Sequence, residues 1–137
     1  MMMDLEVPHI EVHVTSVARA REFYVDKLEL VVLYDIPELD LLAVRAGPVR
    51  ISIFGGYMPR EDGDELRCGT HLIFRTTDLN RTIAALTERG VAFTGEVVEA
   101  SAFIRDIATT DPDGNVVEFA EYLRDPLSGA PGGSVGG

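Results

Sequence analysis

At 137 residues and 46% hydrophobic content, the chain is long enough for one domain, or for two small halves sharing a core. Twenty-three acidic residues against twelve basic ones leave a formal charge of −11 with no basic stripe, which argues against nucleic acid as a partner. No apolar run approaches the roughly 18 residues that span a bilayer, and no basic segment followed by an apolar one marks a secretory leader; no membrane partner is expected, and the expected location is cytoplasmic.

The first element in chain order runs from His9 to Val14, where Ile10, Val12 and Val14 alternate with His9, Glu11 and His13. Period-two alternation of this kind predicts a strand with one greasy face and one chemical face. Ser16 then offers a helix N-cap, and Val17, Ala20, Phe23, Tyr24 and Leu28 recur at helical spacing. Residues 30–36 and 40–46 read as strands around Pro37 and Glu38, and 49–54 as a third strand that ends at Gly55-Gly56. Tyr57 to Cys68 is polar and reads as a linker. Its single cysteine excludes an internal disulfide and a cysteine-based zinc site, and reads as an inert thiol near a strand start.

The pattern then restarts. Thr70 to Thr76 alternates with Leu72 and Phe74 on one face and His71, Ile73 and Arg75 on the other. Asp78 caps a helix carrying Leu79, Ile83 and Leu86 and stopped by Gly90. Strands follow at 93–98, 103–108 and 115–122, the last two joined by the turn Asp111-Pro112-Asp113-Gly114. The Gly-rich end, 126–137, reads as a disordered tail. The domain therefore spans 1–125, as two modules at about 8–56 and 69–122.

The order is βαβββ twice, and an offset of 62 carries His9 and Ser16 onto His71 and Asp78. The expected fold is α+β: two βαβββ modules pairing into an open, cup-shaped mixed β-barrel with helices outside. Alternation then gathers His9, Glu11, His13, His71 and Glu118 on the cup's inner face. Two imidazoles and a carboxylate, His9, His71 and Glu118, form a facial triad that leaves coordination positions open. Glu11 and His13 read either as solvated polar side chains or as acid–base groups beside a ligand. Arg50 and Arg75 also point inward by alternation, either solvated or holding an anionic substrate.

The stretch from His9 to Tyr24 resembles the opening motif of the vicinal oxygen chelate superfamily, the glyoxalase/bleomycin-resistance/dioxygenase group. Gly69 to Leu79 is similar to the second-half copy of that motif, and Asp111 to Glu118 to the family's final turn and strand. The resemblance implies that His9, His71 and Glu118 bind a divalent metal. Ser16 stands where the family usually has aspartate, and Ser52 stands where four-ligand members such as glyoxalase I carry a carboxylate. A three-ligand site is therefore expected, and the loss of that carboxylate puts glyoxalase I chemistry in doubt.

The resemblance further implies an enzyme acting on a small-molecule substrate that chelates the metal through vicinal oxygens. A dioxygenase-like activity with Fe(II) fits the ligand count, with Mn(II), Ni(II) or Zn(II) as alternatives. The other readings are a Mn-dependent transferase or lyase, as in fosfomycin resistance or lactoylglutathione lyase, and a non-enzymatic protein that sequesters a drug or metabolite. Open sheet edges predict a homodimer, and the family shows ligand sets drawn from one chain and from two.

Overall fold

Strand-forming alternation and paired helix caps produce the same arrangement twice in the computed structural model, which describes residues 3–4, 6–58, 71–99 and 104–123. The chain divides into two compact units, Met1–Asp64 and Glu65–Gly137. The fold is α+β, as expected. Its strands are distributed over two four-stranded mixed sheets, one in each unit.

In the first unit, β1 (Ile10–His13) leads into α1 (Val17–Arg21), followed by β2 (Val31–Ile36), β3 (Leu41–Ala46) and β4 (Val49–Phe54). The sheet order is β1-β4-β3-β2, with β1 parallel to β4 and the remaining pairs antiparallel. Ser16 starts α1 in extended conformation, its side chain accepting from the Arg19 backbone N–H at 3.3 Å. The helix does not stay α-helical to Leu28. Glu22–Lys27 forms π turns, closed by the Leu28 N–H donating to Phe23 O at 3.0 Å. A π turn rotates less per residue than an α turn, which lets the adjacent Phe23 and Tyr24 both bury, edge to face at 4.9 Å. They cover Val12, Leu42, Val44, Ile51 and Ile53, the core of this unit.

The second unit repeats the plan with β5 (His71–Arg75), α2 (Leu79–Glu88), β6 (Val98–Glu99), β7 (Ile104–Thr110) and β8 (Val116–Tyr122), ordered β5-β8-β7-β6. Here β5 runs parallel to β8. Asp78 caps α2 by accepting from the Arg81 N–H at 3.0 Å, and Leu79 and Leu86 bury with Leu72, Val117 and Phe119. The turn before β8 is tied internally. Asp111, itself buried, accepts from the N–H groups of Asp113 and Asn115 through Oδ1 and from Asn115 Nδ2 through Oδ2, all within 2.9 Å.

The strand expected at 93–98 shrinks to Val98–Glu99. The preceding segment instead docks on β7 through isolated bonds, from Thr94 N to Ala108 O at 2.9 Å and from Thr109 Oγ1 to Ala92 O at 2.6 Å. Gly95 weakens a strand here, having no side chain to pack on its neighbours and more backbone freedom to lose. The strand expected from Asp40 starts at Leu41 because Asp40 adopts left-handed backbone, φ 50°. Cys68, Thr70, Phe103 and the tail 126–137 lie outside the described residues.

These packing roles give distinct expected costs. Ile53→Ala should cost about 3 kcal/mol, the range for emptying a fully buried isoleucine site, and Asp78→Ala about 1 kcal/mol for its cap. Urea denaturation of each variant measures both; equal costs would contradict the assignment of Ile53 to the core.

Candidate functional site

Register decides which side chains share a face. In the first unit Glu11 lies beside Ser52, and Ser52 opposite Ala43. The face carrying Glu11 therefore also carries His9, His13, Arg50, Ser52 and Phe54, while Ile10, Val12, Ile51 and Ile53 occupy the helix side. Glu11 bridges two imidazoles, its Oε1 at 3.4 Å from His9 Nε2 and its Oε2 at 3.4 Å from His13 Nε2. The His13 ring stacks on Phe54 with centroids 5.9 Å apart.

The second nitrogen of His9 has a donor facing it: Arg50 Nη2 lies 3.1 Å from His9 Nδ1. A guanidinium only donates, so Nδ1 must present its lone pair. The proton of the neutral ring then sits on Nε2, directed at Glu11.

In the second unit His71, Ile73 and Arg75 share a face with Glu118 and Ala120 of β8 and with Asp106 and Ala108 of β7. Glu118 reaches along the parallel pair so that its Oε1 lies 2.9 Å from His71 Nε2. Arg75 places its guanidinium carbon 5.1 Å from the Tyr122 ring centroid, a cation–π distance. Burial raises the Asp106 carboxyl above its ordinary 3.8; repulsion from Glu118 adds to the rise and His71 opposes it.

The two sheets correspond position by position. Ile10 pairs with Ile51 and Leu72 with Val117, so the offset is 62 on the opening strand and 66 on the closing one. Ser52 is thereby the counterpart of Glu118. It is 2% exposed, a buried hydroxyl where the second unit carries a half-buried carboxylate.

The first unit thus brings together His9, Glu11 and His13, and the second brings together His71 and Glu118. Among the described residues, no three His, Cys, Asp or Glu side chains form a ready-made metal cluster. Sequence reasoning missed Asp106 and the Arg50–His9 contact. Asp106 was accessible in principle, since alternation through Ile104, Asp106 and Ala108 opposite β8 puts it on the Glu118 face.

The family model described as Glyoxalase/Bleomycin resistance protein/Dioxygenase superfamily matches residues 6–119. The chain belongs to this superfamily. Solved structures resemble it over most of their length. A protein named SMU.1112c is 25% identical, with 87% of this chain and 100% of that one covered and a TM-score of 0.71. A glyoxalase family protein from Enterococcus faecalis is also 25% identical, covering 88% of this chain and 100% of its own at a TM-score of 0.66. Lactoylglutathione lyase from Agrobacterium tumefaciens shares the fold at 15% identity, covering 85% of this chain and 92% of its own with a TM-score of 0.68. No curated protein sequence matches the chain. No helix among the described residues is long and apolar enough to cross a membrane.

The raised Asp106 pKa makes a signed prediction. The folded state holds this proton more tightly than the unfolded chain, so ionisation of Asp106 costs stability as pH climbs through 3.8 and the higher folded value. Asp106→Asn should therefore raise the melting temperature at neutral pH, with the gain shrinking as pH falls toward 3.8. A gain that persists unchanged in acid would contradict the assignment.

Proposed function

We propose that this superfamily member is a divalent-metal-dependent enzyme whose ion is held by His9, His71 and Glu118. The observation that carries the reading is the His71–Glu118 pair, an imidazole and a carboxylate 2.9 Å apart on neighbouring parallel strands. His9 occupies the position of His71 in the first unit, at the repeat offset of 62. Two neutral nitrogens and one carboxylate oxygen suit a first-row divalent ion, with Fe(II) favoured and Mn(II), Ni(II) or Zn(II) as alternatives.

A bound ion supplies Lewis acidity and a template for a small substrate that chelates through vicinal oxygens. The chain's own residues do the rest. Glu11, 3.4 Å from both His9 Nε2 and His13 Nε2, is placed to take a proton, and His13 to return one. Ser52 contributes no carboxylate at the counterpart of Glu118, which leaves a coordination position for substrate or oxygen and supports a dioxygenase-like reaction over glyoxalase I isomerisation.

A second reading, sequestration of a drug or metabolite without catalysis, is favoured by one observation: Arg50 occupies the His9 nitrogen lone pair. Stoichiometric metal in protein purified without a histidine tag separates the two readings.

The metal set is tested by titrating Fe(II) or Mn(II) into variants under anaerobic conditions. His71→Ala and Glu118→Ala should each weaken binding by at least about 100-fold, the upper range lost when even an outer partner of a ligand is removed. Ser52→Glu should tighten it by adding a ligand; unchanged affinity there would place residue 52 away from the ion.

The protein is further proposed to be a homodimer, and sharing of the ligand set is tested by mixing. If His9 of one chain joins His71 and Glu118 of another, a hybrid of His9→Ala and Glu118→Ala chains regains one complete site, and metal binding partly returns. Ligands drawn from a single chain give no rescue, and a monomer in sedimentation at micromolar concentration refutes the dimer.

A further inference from the structure

Arg50 is a cation in a strongly acidic protein. Acids outnumber bases by 23 to 12, and other arginines find carboxylates: Arg21 pairs with Asp35, and Arg105 with Glu99 and Glu121. Among the described residues no carboxylate pairs with Arg50. Its Nη2 donates to a neutral acceptor, His9 Nδ1, at 3.1 Å, and its Nε is buried with no hydrogen-bond partner. A second guanidinium stands directly across the ladder, because Arg45 pairs with Arg50 in the β3–β4 register. Arg45 donates Nη1 to Gly47 O at 3.1 Å, again to a neutral acceptor. Like charges opposite one another on neighbouring strands destabilise a sheet, and a buried donor left unsatisfied does so as well. Both penalties vanish if an anion sits against this end of the β3–β4 pair.

We propose that Arg50 anchors an oxyanion of the substrate, a carboxylate or phosphoryl group, on the face of the first sheet that carries His9. Nε and Nη2 form the side-on fork of a guanidinium, which matches the two oxygens of such a group. One tine of that fork is vacant and the other is held by a ring nitrogen that a charged acceptor outcompetes. Binding the oxyanion satisfies Nε, neutralises the charge opposite Arg45 and releases His9 Nδ1. The freed imidazole can then carry its proton on Nδ1 and offer Nε2, the form a metal ligand requires. Anion and metal thereby favour one another at His9. The inference rests on the proposed function in taking the anion to be the substrate's; the anion site itself does not depend on the metal.

The test uses the metal-free full chain, with inorganic phosphate and acetate as separate probes, following by NMR the backbone amides of β1 and β4 in every sample and, in the parent, the Arg50 Nε–H resonance. At least one probe should shift that resonance saturably, and which one does so assigns phosphoryl or carboxylate chemistry. Arg50→Met should weaken that binding at least about tenfold, a loss of about 1.4 kcal/mol. Arg50→Lys, which keeps the charge and loses the fork, should fall between the two and controls for folding. Mn(II) titration of the same samples should show Arg50→Met binding the ion at least as tightly as the parent, since His9 has lost its competing donor. A purely structural arginine would weaken both ligands together. Parent protein that shifts with neither probe, or Arg50→Met that binds as the parent does, overturns the proposal and leaves the metal reading standing. Arg50-dependent anion binding in a parent that takes up none of Fe(II), Mn(II), Ni(II) and Zn(II) refutes the metal reading and leaves this one standing.

Discussion

Parallel pairing between the first and last strands of each unit is the constraint on which the chemistry depends. A parallel pair cannot be closed by a tight turn; the chain must cross over, and the helix in each unit makes that crossing. The pairing sets an opening strand beside a closing one that the chain reaches only after the helix and two more strands. It is why His71 meets Glu118 and Glu11 lies beside Ser52. The helix covers one face of the sheet with apolar side chains, and the opposite face is left for polar ones.

The shared plan carries two different chemistries. Ser52 and Glu118 stand at equivalent positions, as do His13 and Arg75 by the opening-strand offset. The first unit presents two histidines bridged by a glutamate and flanked by arginine; the second presents one histidine paired with Glu118, with Asp106 on the same face. The sheet ladders are indifferent to these exchanges because they occur on the face the helix does not pack. That indifference lets a repeated fold differentiate its halves without repacking either core.

Much of this was legible in the sequence. Alternation at 9–14 and 71–75 assigned faces correctly, and Ser16 and Asp78 announced their helices by capping chemistry. The features that escaped had nonlocal causes. The π turns at Glu22–Lys27 follow from burying Phe23 and Tyr24 together, a packing demand with no signature in helical spacing. The segment before Val98 has strand-like composition, yet it docks on β7 through Thr94 and Thr109, and only the fold supplies those partners. The Arg50–His9 contact links residues 41 positions apart, and no local pattern encodes it. Membership of the superfamily was readable because its motif residues are local; the hydrogen bonding that tunes them is not.

The turn at Asp111–Asn115 has an evolutionary corollary. Its carboxylate-centred knot meters the chain into β8, and a strand's side chains alternate strictly. An insertion of a single residue there would turn Glu118 away from His71 and bring Val117 into its place, and a deletion would bring Phe119. Indels of odd length should therefore be filtered out of this turn during descent. The corresponding Gly47-Pro48 turn meters Ser52, which has no carboxylate to aim, so drift in its length is restrained by packing of Ile51 and Ile53 and by the Arg50–His9 contact. The duplicated halves would then age at different rates.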